Sequence, residues 1–111
     1  MEKLTKRLST IKMFNIYKGL LSNTQQEILF DYLCLDLSIT EISENRNISR
    51  SAVEDAIKKG THKLEEIEEA VSMYKKMKPI KEKIEALIEI SKDEEQIKLL
   101  NEILGDLDDG I

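Results

Sequence analysis

Few residues in this 111-residue chain are of types that break or make covalent bonds. There is one histidine, His62, and one cysteine, Cys34. A histidine serves as a general base when another group orients it and a nucleophile lies within reach. His62 instead stands beside Gly60-Thr61 and is flanked by Lys59 and Lys63. No Ser/His/Asp arrangement builds around it. Cys34 lies in the apolar run Tyr32-Leu33-Cys34-Leu35, where cysteine behaves as a small buried hydrophobe. Being single, it cannot close an intramolecular disulfide. No Cys/His cluster has metal spacing, and no glycine-rich loop cradles phosphate. The carboxylates have lysines three or four residues away, as Glu82 has Lys78, which is the pattern of helix-surface pairs. These residues imply a protein that is not an enzyme and carries no cofactor and no metal.

A second kind of chemistry, recognition of phosphate or a partner surface, is open to a group that gathers around and after position 47. Arg46, Ser49, Arg50, Ser51, Glu54, Lys58, Lys59 and Lys63 supply cations, hydroxyls and one carboxylate within eighteen residues. Lysine and arginine hold phosphates, while hydroxyls and carboxylates reach base edges.

The elements that must position them are helical. Hydrophobic residues make up 41% and charged residues 35% of the chain, with four glycines and one proline. That balance suits amphipathic helices rather than disorder. Leu4, Leu8, Ile11, then Phe14 or Ile16, then Tyr17, Leu20 and Leu21 recur at helical spacing, predicting a helix over 3–20. Thr24 with Glu27 forms a capping box for a second helix over about 25–35, which buries Ile28, Leu29, Tyr32 and Leu33. Ser38 with Glu41 opens a short helix over about 39–45 that buries Ile39 and Ile42. Arg46-Asn47-Ile48 is a tight connection, with Asn47 suited to positive φ. Ser49 caps a helix from Arg50 to Lys59 whose inward positions are Val53, Ala56 and Ile57.

Gly60 is expected to interrupt or kink this helix. Thr61 restarts it with Leu64, Ile67, Val71, Tyr74 and Met77 or Lys78, an apolar seam that Pro79 ends. Ile80, Ile84, Leu87 and Ile88 define another helix. Ser91 with Glu94 caps a last one, carrying Ile97, Leu100, Ile103 or Leu104, and Leu107. Gly105 is its expected C-cap, with residues 106–111 frayed. The domains implied are 1–60, a helix-turn-helix bundle, and 61–111, a helical extension that packs back on it or forms a dimer interface.

Two short helices joined at Arg46-Asn47-Ile48 match the spacing of a helix-turn-helix. Ser43 is small where the second helix crosses, Ile48 plugs the gap, and Val53 and Ile57 anchor the second helix. Arg50, Ser51, Glu54, Asp55 and Lys58 then face outward, as recognition helices display residues to the major groove. The plain alternative is a pair of packed helices with no ligand.

Residues 38–53 resemble region four of bacterial sigma factors. More closely, the chain resembles the YlxM family of small bacterial proteins. The resemblance runs through Tyr17-Lys18-Gly19-Leu20-Leu21-Ser22 with Gln25, Tyr32-Leu33, Asp36-Leu37-Ser38, Glu41-Ile42, Ile48-Ser49-Arg50, Ala52-Val53, Asp55 and Ile57-Lys58, within residues 3–77. It implies an all-α fold: a helical bundle containing a sigma-like helix-turn-helix, then a long helix and a C-terminal helical extension. It also implies a regulatory role in the signal recognition particle pathway, through the particle's RNA or its GTPase. Two positions depart from the family's pattern: Arg46 replaces an aromatic or apolar residue, and Glu54 replaces a frequent tyrosine. Arg46 is expected to bury its stem and keep its charge outside.

Charge bears on the partner. Residues 1–60 hold nine Lys/Arg against eight Asp/Glu, and residues 61–111 hold eight Lys against fourteen Asp/Glu. The acidic second half disfavours nucleic acid lying along it. Glu54 and Asp55 disfavour phosphate beside the displayed helix. A DNA-binding transcription regulator is thus the second reading, and a protein interaction module using the 64–77 seam, as a homodimer, the third. With no apolar run of membrane-spanning length and no h-region after Met1, the expected location is the cytoplasm.

Overall fold

A computed structural model describes residues 2–109. The described residues form helices and connections without strands, in two compact units, Met1–Val71 and Ser72–Ile111. The expected all-α class holds.

In the first unit, α1 runs Glu2–Tyr17 and passes into a 3₁₀ turn, Lys18–Leu20. Its inward stripe is Thr10, Met13, Phe14 and Tyr17, followed by Leu21; Leu4, Leu8 and Leu20 remain exposed. α2 spans Asn23–Leu29. Its cap is Ser22 with Gln25, two residues before the expected Thr24 and Glu27. The Ser22 hydroxyl accepts from the Gln25 N–H at 3.2 Å, and the Ser22 N–H donates to Gln25 Oε1 at 3.3 Å. The helix continues as a π turn, Phe30–Cys34. There the Leu35 N–H reaches back to the Phe30 carbonyl at 3.2 Å. The wider turn ends at Asp36, which takes φ 55°. It leaves Cys34 exposed rather than buried, with Leu35 exposed beside it.

α3, Ile39–Arg46, begins at the expected capping box. The Ser38 hydroxyl accepts from the Glu41 N–H at 3.1 Å, and Glu41 Oε1 accepts from the Ser38 N–H at 3.0 Å. α4, Arg50–Val71, is a single 22-residue helix. The expected break at Gly60 does not occur. Gly60 is buried against α2, where an added Cβ would lie 2.6 Å from Leu29 Cδ1. The glycine admits a close helix approach instead of ending the helix. A domain boundary at residue 60 therefore falls inside α4, and the units divide at Ser72.

Phe14, Ile28, Leu29, Ile42, Val53 and Leu64 are the largest fully buried side chains. Ile28, Ile42, Val53 and Ala56 form one cluster, flanked by Tyr32, Leu37, Ile39, Ile48 and Ile57. Each such aliphatic side chain contributes about 1.5–3 kcal/mol on full burial. Two polar links tie α1 to the rest. The Tyr17 hydroxyl donates to Glu68 Oε1 at 2.6 Å. Arg7 donates to the Tyr32 carbonyl at 2.8 Å and to Asp36 at 2.9 Å, with its guanidinium carbon 5.3 Å from the Tyr32 ring centre.

In the second unit, α5 spans Met73–Ile90 and α6 spans Glu94–Asp109. Ser72 takes φ 52° and splits the expected 61–78 helix. A serine in this conformation supplies a break that neither glycine nor proline announces. Pro79 lies inside α5 rather than ending a helix. It removes one backbone donor, while the remaining turns keep theirs. The cap of α6 is Asp93, whose carboxylate accepts from the Glu95 N–H at 2.9 Å, not Ser91 with Glu94. Ser91 donates instead to Gln96 at 3.0 Å. α6 runs through Gly105 to Asp109, so residues 106–109 are helical. Residues 110–111 lie outside the described part.

Candidate nucleic-acid interface

The turn between α3 and α4 holds the candidate residues in place. Asn47 adopts φ 55°, ψ 47°, the left-handed conformation expected of it. This reverses the chain at low cost because asparagine tolerates the region. The Ile48 N–H donates to the Ser43 carbonyl at 3.1 Å, closing the C-terminal turn of α3. Ile48 is half-buried against the cluster of Ile42 and Val53, as a plug residue requires. The Ser49 hydroxyl accepts from the Ala52 N–H at 3.0 Å and caps α4. Val53 is fully buried, which fixes the rotation of α4. One face then points inward through Val53, Ala56, Ile57 and Gly60.

The exposed positions of α4 and its cap carry the candidates. Ser49, Arg50, Ser51, Glu54, Lys58, Lys59 and Lys63 are all exposed. They share α4 and its cap, so one rigid helix sets their spacing. Lys59 pairs with Asp55 at 3.2 Å, one helical turn apart, and part of its charge is neutralised there. His62 Nε2 lies 2.8 Å from Glu66, also one turn apart. Arg50, Lys58 and Lys63 take part in none of the ion pairs of the described residues. The exposed surface of α4 and its cap therefore presents three uncommitted cations, one paired cation, two hydroxyls and the carboxylate of Glu54.

Arg46 stands apart from that group. Its Nε donates to Asp31 Oδ2 at 2.6 Å and its Nη1 to Glu27 Oε2 at 3.1 Å. Asp31 is 9% exposed at its side chain, Arg46 32%. The Asp31 hydrogen bond is the main cause holding the guanidinium proton more firmly than usual. The expected outward charge is thus engaged at the α2–α3 contact. Arg46 also borders an open surface groove lined by Phe14, Lys18, Gln26, Glu27 and Phe30. The sequence does not announce these acceptors, although Glu27 and Asp31 stand four residues apart, the spacing that puts two side chains on one helical face. Among the described residues, no group of His, Cys, Asp or Glu could hold a metal ion, and no helix is long and apolar enough to cross a membrane.

Comparison with known proteins places this geometry. Residues 4–103 match the family described as "Putative helix-turn-helix protein, YlxM / p13 like". The chain belongs to this family. It is similar to the UPF0122 protein YlxM of Bacillus subtilis, 38% identical over 99 residues that cover 86% of this chain and 90% of that one. A UPF0122 protein of Fusobacterium nucleatum is 36% identical over 92 residues, covering 83% and 89%. A third, from Ureaplasma parvum, is 36% identical over 98 residues, covering 88% and 95%. The family match reaches across the helix-turn-helix and most of the α5–α6 unit. Membership thus agrees with the all-helical fold and with the turn at Asn47, and it makes this chain a helix-turn-helix protein.

Proposed function

We propose that this protein is a non-enzymatic, cytoplasmic regulator that binds nucleic acid through the exposed face of α4, in the signal recognition particle pathway. The observation that carries the reading is the solvent-facing row from Ser49 to Lys63, held by a helix-turn-helix whose other face is buried. The particle's RNA is the first ligand, met by Arg50, Lys58 and Lys63 at phosphates and by Ser49 and Ser51 as hydroxyl donors. The particle's GTPase is the second component of the same reading. Family membership supports a helix-turn-helix role, and the resemblance noted above supplies the pathway.

The test is titration of the purified protein into the particle's RNA and its GTPase, separately and together, at two salt concentrations. Binding to the RNA that weakens steeply with salt is expected. No binding to either component overturns the proposal.

The helix-turn-helix itself favours one further reading, a sequence-specific DNA-binding transcription regulator. Selection from genomic fragments that recovers a single palindromic site, lost on Arg50→Ala, would establish it. Sequence-blind binding would exclude it.

We also infer that the chain associates with a second copy. The 64–77 seam is not the surface, because Ser72 splits it between two helices and Leu64 is fully buried.

A further inference from the structure

α5 and α6 pack against each other and are joined by three residues, Ser91 to Asp93. So short a connection makes an antiparallel hairpin. Each helix bears a broad apolar face, one edge of it turned inward and the other exposed. On α5, Met77 is buried and Ile84 and Ile88 are half-buried, while Ile80, Leu87 and Ile90 are exposed. On α6, Ile97, Leu100, Leu104 and Leu107 are half-buried, while Leu99 and Ile103 are exposed. Ile80 and Leu87 stand seven residues apart on α5, and Leu99 and Ile103 four apart on α6, so each exposed pair keeps to one side of its helix. Apolar side chains held along one side of a helix are made to pack on another helix. An antiparallel pair turning at residue 92 sets Ile80 near the height of Ile103, and Leu87 near that of Leu99. Both exposed stripes thus run along the same length of hairpin. Two helices burying so little are short of the core that isolated helices need.

Charge indicates what covers them. α5 holds five lysines against three glutamates; α6 holds one lysine against six carboxylates. A nucleic acid drawn to the lysines of α5 would meet the carboxylates of α6 beside them. A second hairpin meets no such conflict if it crosses over. Pairing like with like sets acidic α6 on acidic α6. Crossed pairing sets each basic α5 on a partner's acidic α6, and satisfies both helices at once.

We propose that the exposed face of the α5–α6 hairpin binds the same face of a second copy, forming a four-helix bundle in which each α5 lies against the partner's α6. This rests on the self-association inferred above and names its surface. Such bundles close through a/d-type stripes. The dimer puts two α4 faces on one particle, and two linked contacts on one nucleic acid bind more tightly than either alone.

Sedimentation equilibrium of the full chain tests both statements. The expected mass is twice 12.8 kDa at high micromolar concentration. Ile80→Glu combined with Ile103→Glu is expected to give a monomer with unchanged helical circular dichroism, since both sites are exposed. Reversing Lys76 and Lys83, which stand three or four residues from Ile80 and Leu87 on the same side of α5, to Glu should weaken association about tenfold or more. Adding Glu102→Lys and Asp106→Lys to that same chain should restore it, a rescue that like-with-like pairing does not give. A monomer at every concentration overturns both the self-association and this surface. A dimer indifferent to Ile80→Glu and Ile103→Glu leaves self-association standing and overturns the hairpin face.

Discussion

Leu29 lies so close over Gly60 that a methyl group at Gly60 would sit 2.6 Å from Leu29 Cδ1 and 3.3 Å from its Cγ. Leu29 is fully buried and has little room to turn aside. Alanine at position 60 gains about 1 kcal/mol of helix propensity but overpacks the α2–α4 contact, which costs about 1–3 kcal/mol. Gly60→Ala is therefore expected to destabilise the first unit by about 1 kcal/mol, read by urea unfolding. Gly60→Leu should cost far more. Combining Gly60→Ala with Leu29→Ala should cost less than the two single changes added, because the methyl group then enters the space Leu29 leaves. Strict additivity would show that the two residues do not share this contact.

Among the ion pairs of the described residues, that of Arg46 with Asp31 is the one with a buried carboxylate. Arg46→Ala leaves the Asp31 carboxylate buried without its charge partner, and the expected loss is about 2 kcal/mol, below the cost of breaking a wholly buried pair because the guanidinium is one-third exposed. Replacing both, as Asp31→Leu with Arg46→Met, should recover most of it. Thermal melts of the three variants decide this. If Arg46 serves as a nucleic-acid contact instead, Arg46→Ala would weaken binding and leave the melting temperature unchanged.

Much of this fold was legible because local chemistry and tertiary packing agree. Ser38 with Glu41, Asn47 at positive φ and Ser49 before Ala52 are decided within four residues of chain, and each stands where spacing put it. The core residues Ile28, Leu29, Ile42, Val53 and Ala56 followed from helical periodicity. The failures lie where distant contacts decide. Gly60 reads as a helix breaker until Leu29 is seen above it. Ser72 carries no signal of a left-handed turn, and Pro79 sits inside a helix whose start depends on Ser72. The candidate face was legible in the same uneven way. Periodicity sent Arg50, Ser51, Glu54 and Lys58 outward, yet nothing local revealed that Arg46 is held by Glu27 and Asp31 from another helix.

Glu41 gives the capping box a pH dependence. Its hydrogen bonds from the Ser38 backbone N–H and side chain hold its carboxyl below the ordinary glutamate value. A depressed carboxyl contributes stability that is complete above its unfolded value and is lost as pH falls through the lower, folded one. Stability should thus decline on acidification below the usual glutamate range, and Glu41→Gln should flatten that part of the curve. Ser38→Ala removes the reciprocal half of the box, and its expected cost at neutral pH is about 1 kcal/mol. Urea midpoints across the acid range check both. An unchanged acid limb in Glu41→Gln would place the pH dependence elsewhere.

The three uncommitted cations on α4 predict a graded salt response in nucleic-acid binding. Each lysine or arginine that sits on a phosphate releases counterions, so removing it should lower the slope of log K against log salt by about one. Arg50→Ala, Lys58→Ala and Lys63→Ala should each do so. Lys59 shares its charge with Asp55 at 3.2 Å, so Lys59→Ala should change the slope by less. Glu54→Gln removes a carboxylate from the same face and should strengthen binding at low salt, where unscreened repulsion is greatest. Parallel slopes for all five variants and the unaltered chain would mean that the phosphate contacts lie off this face of α4.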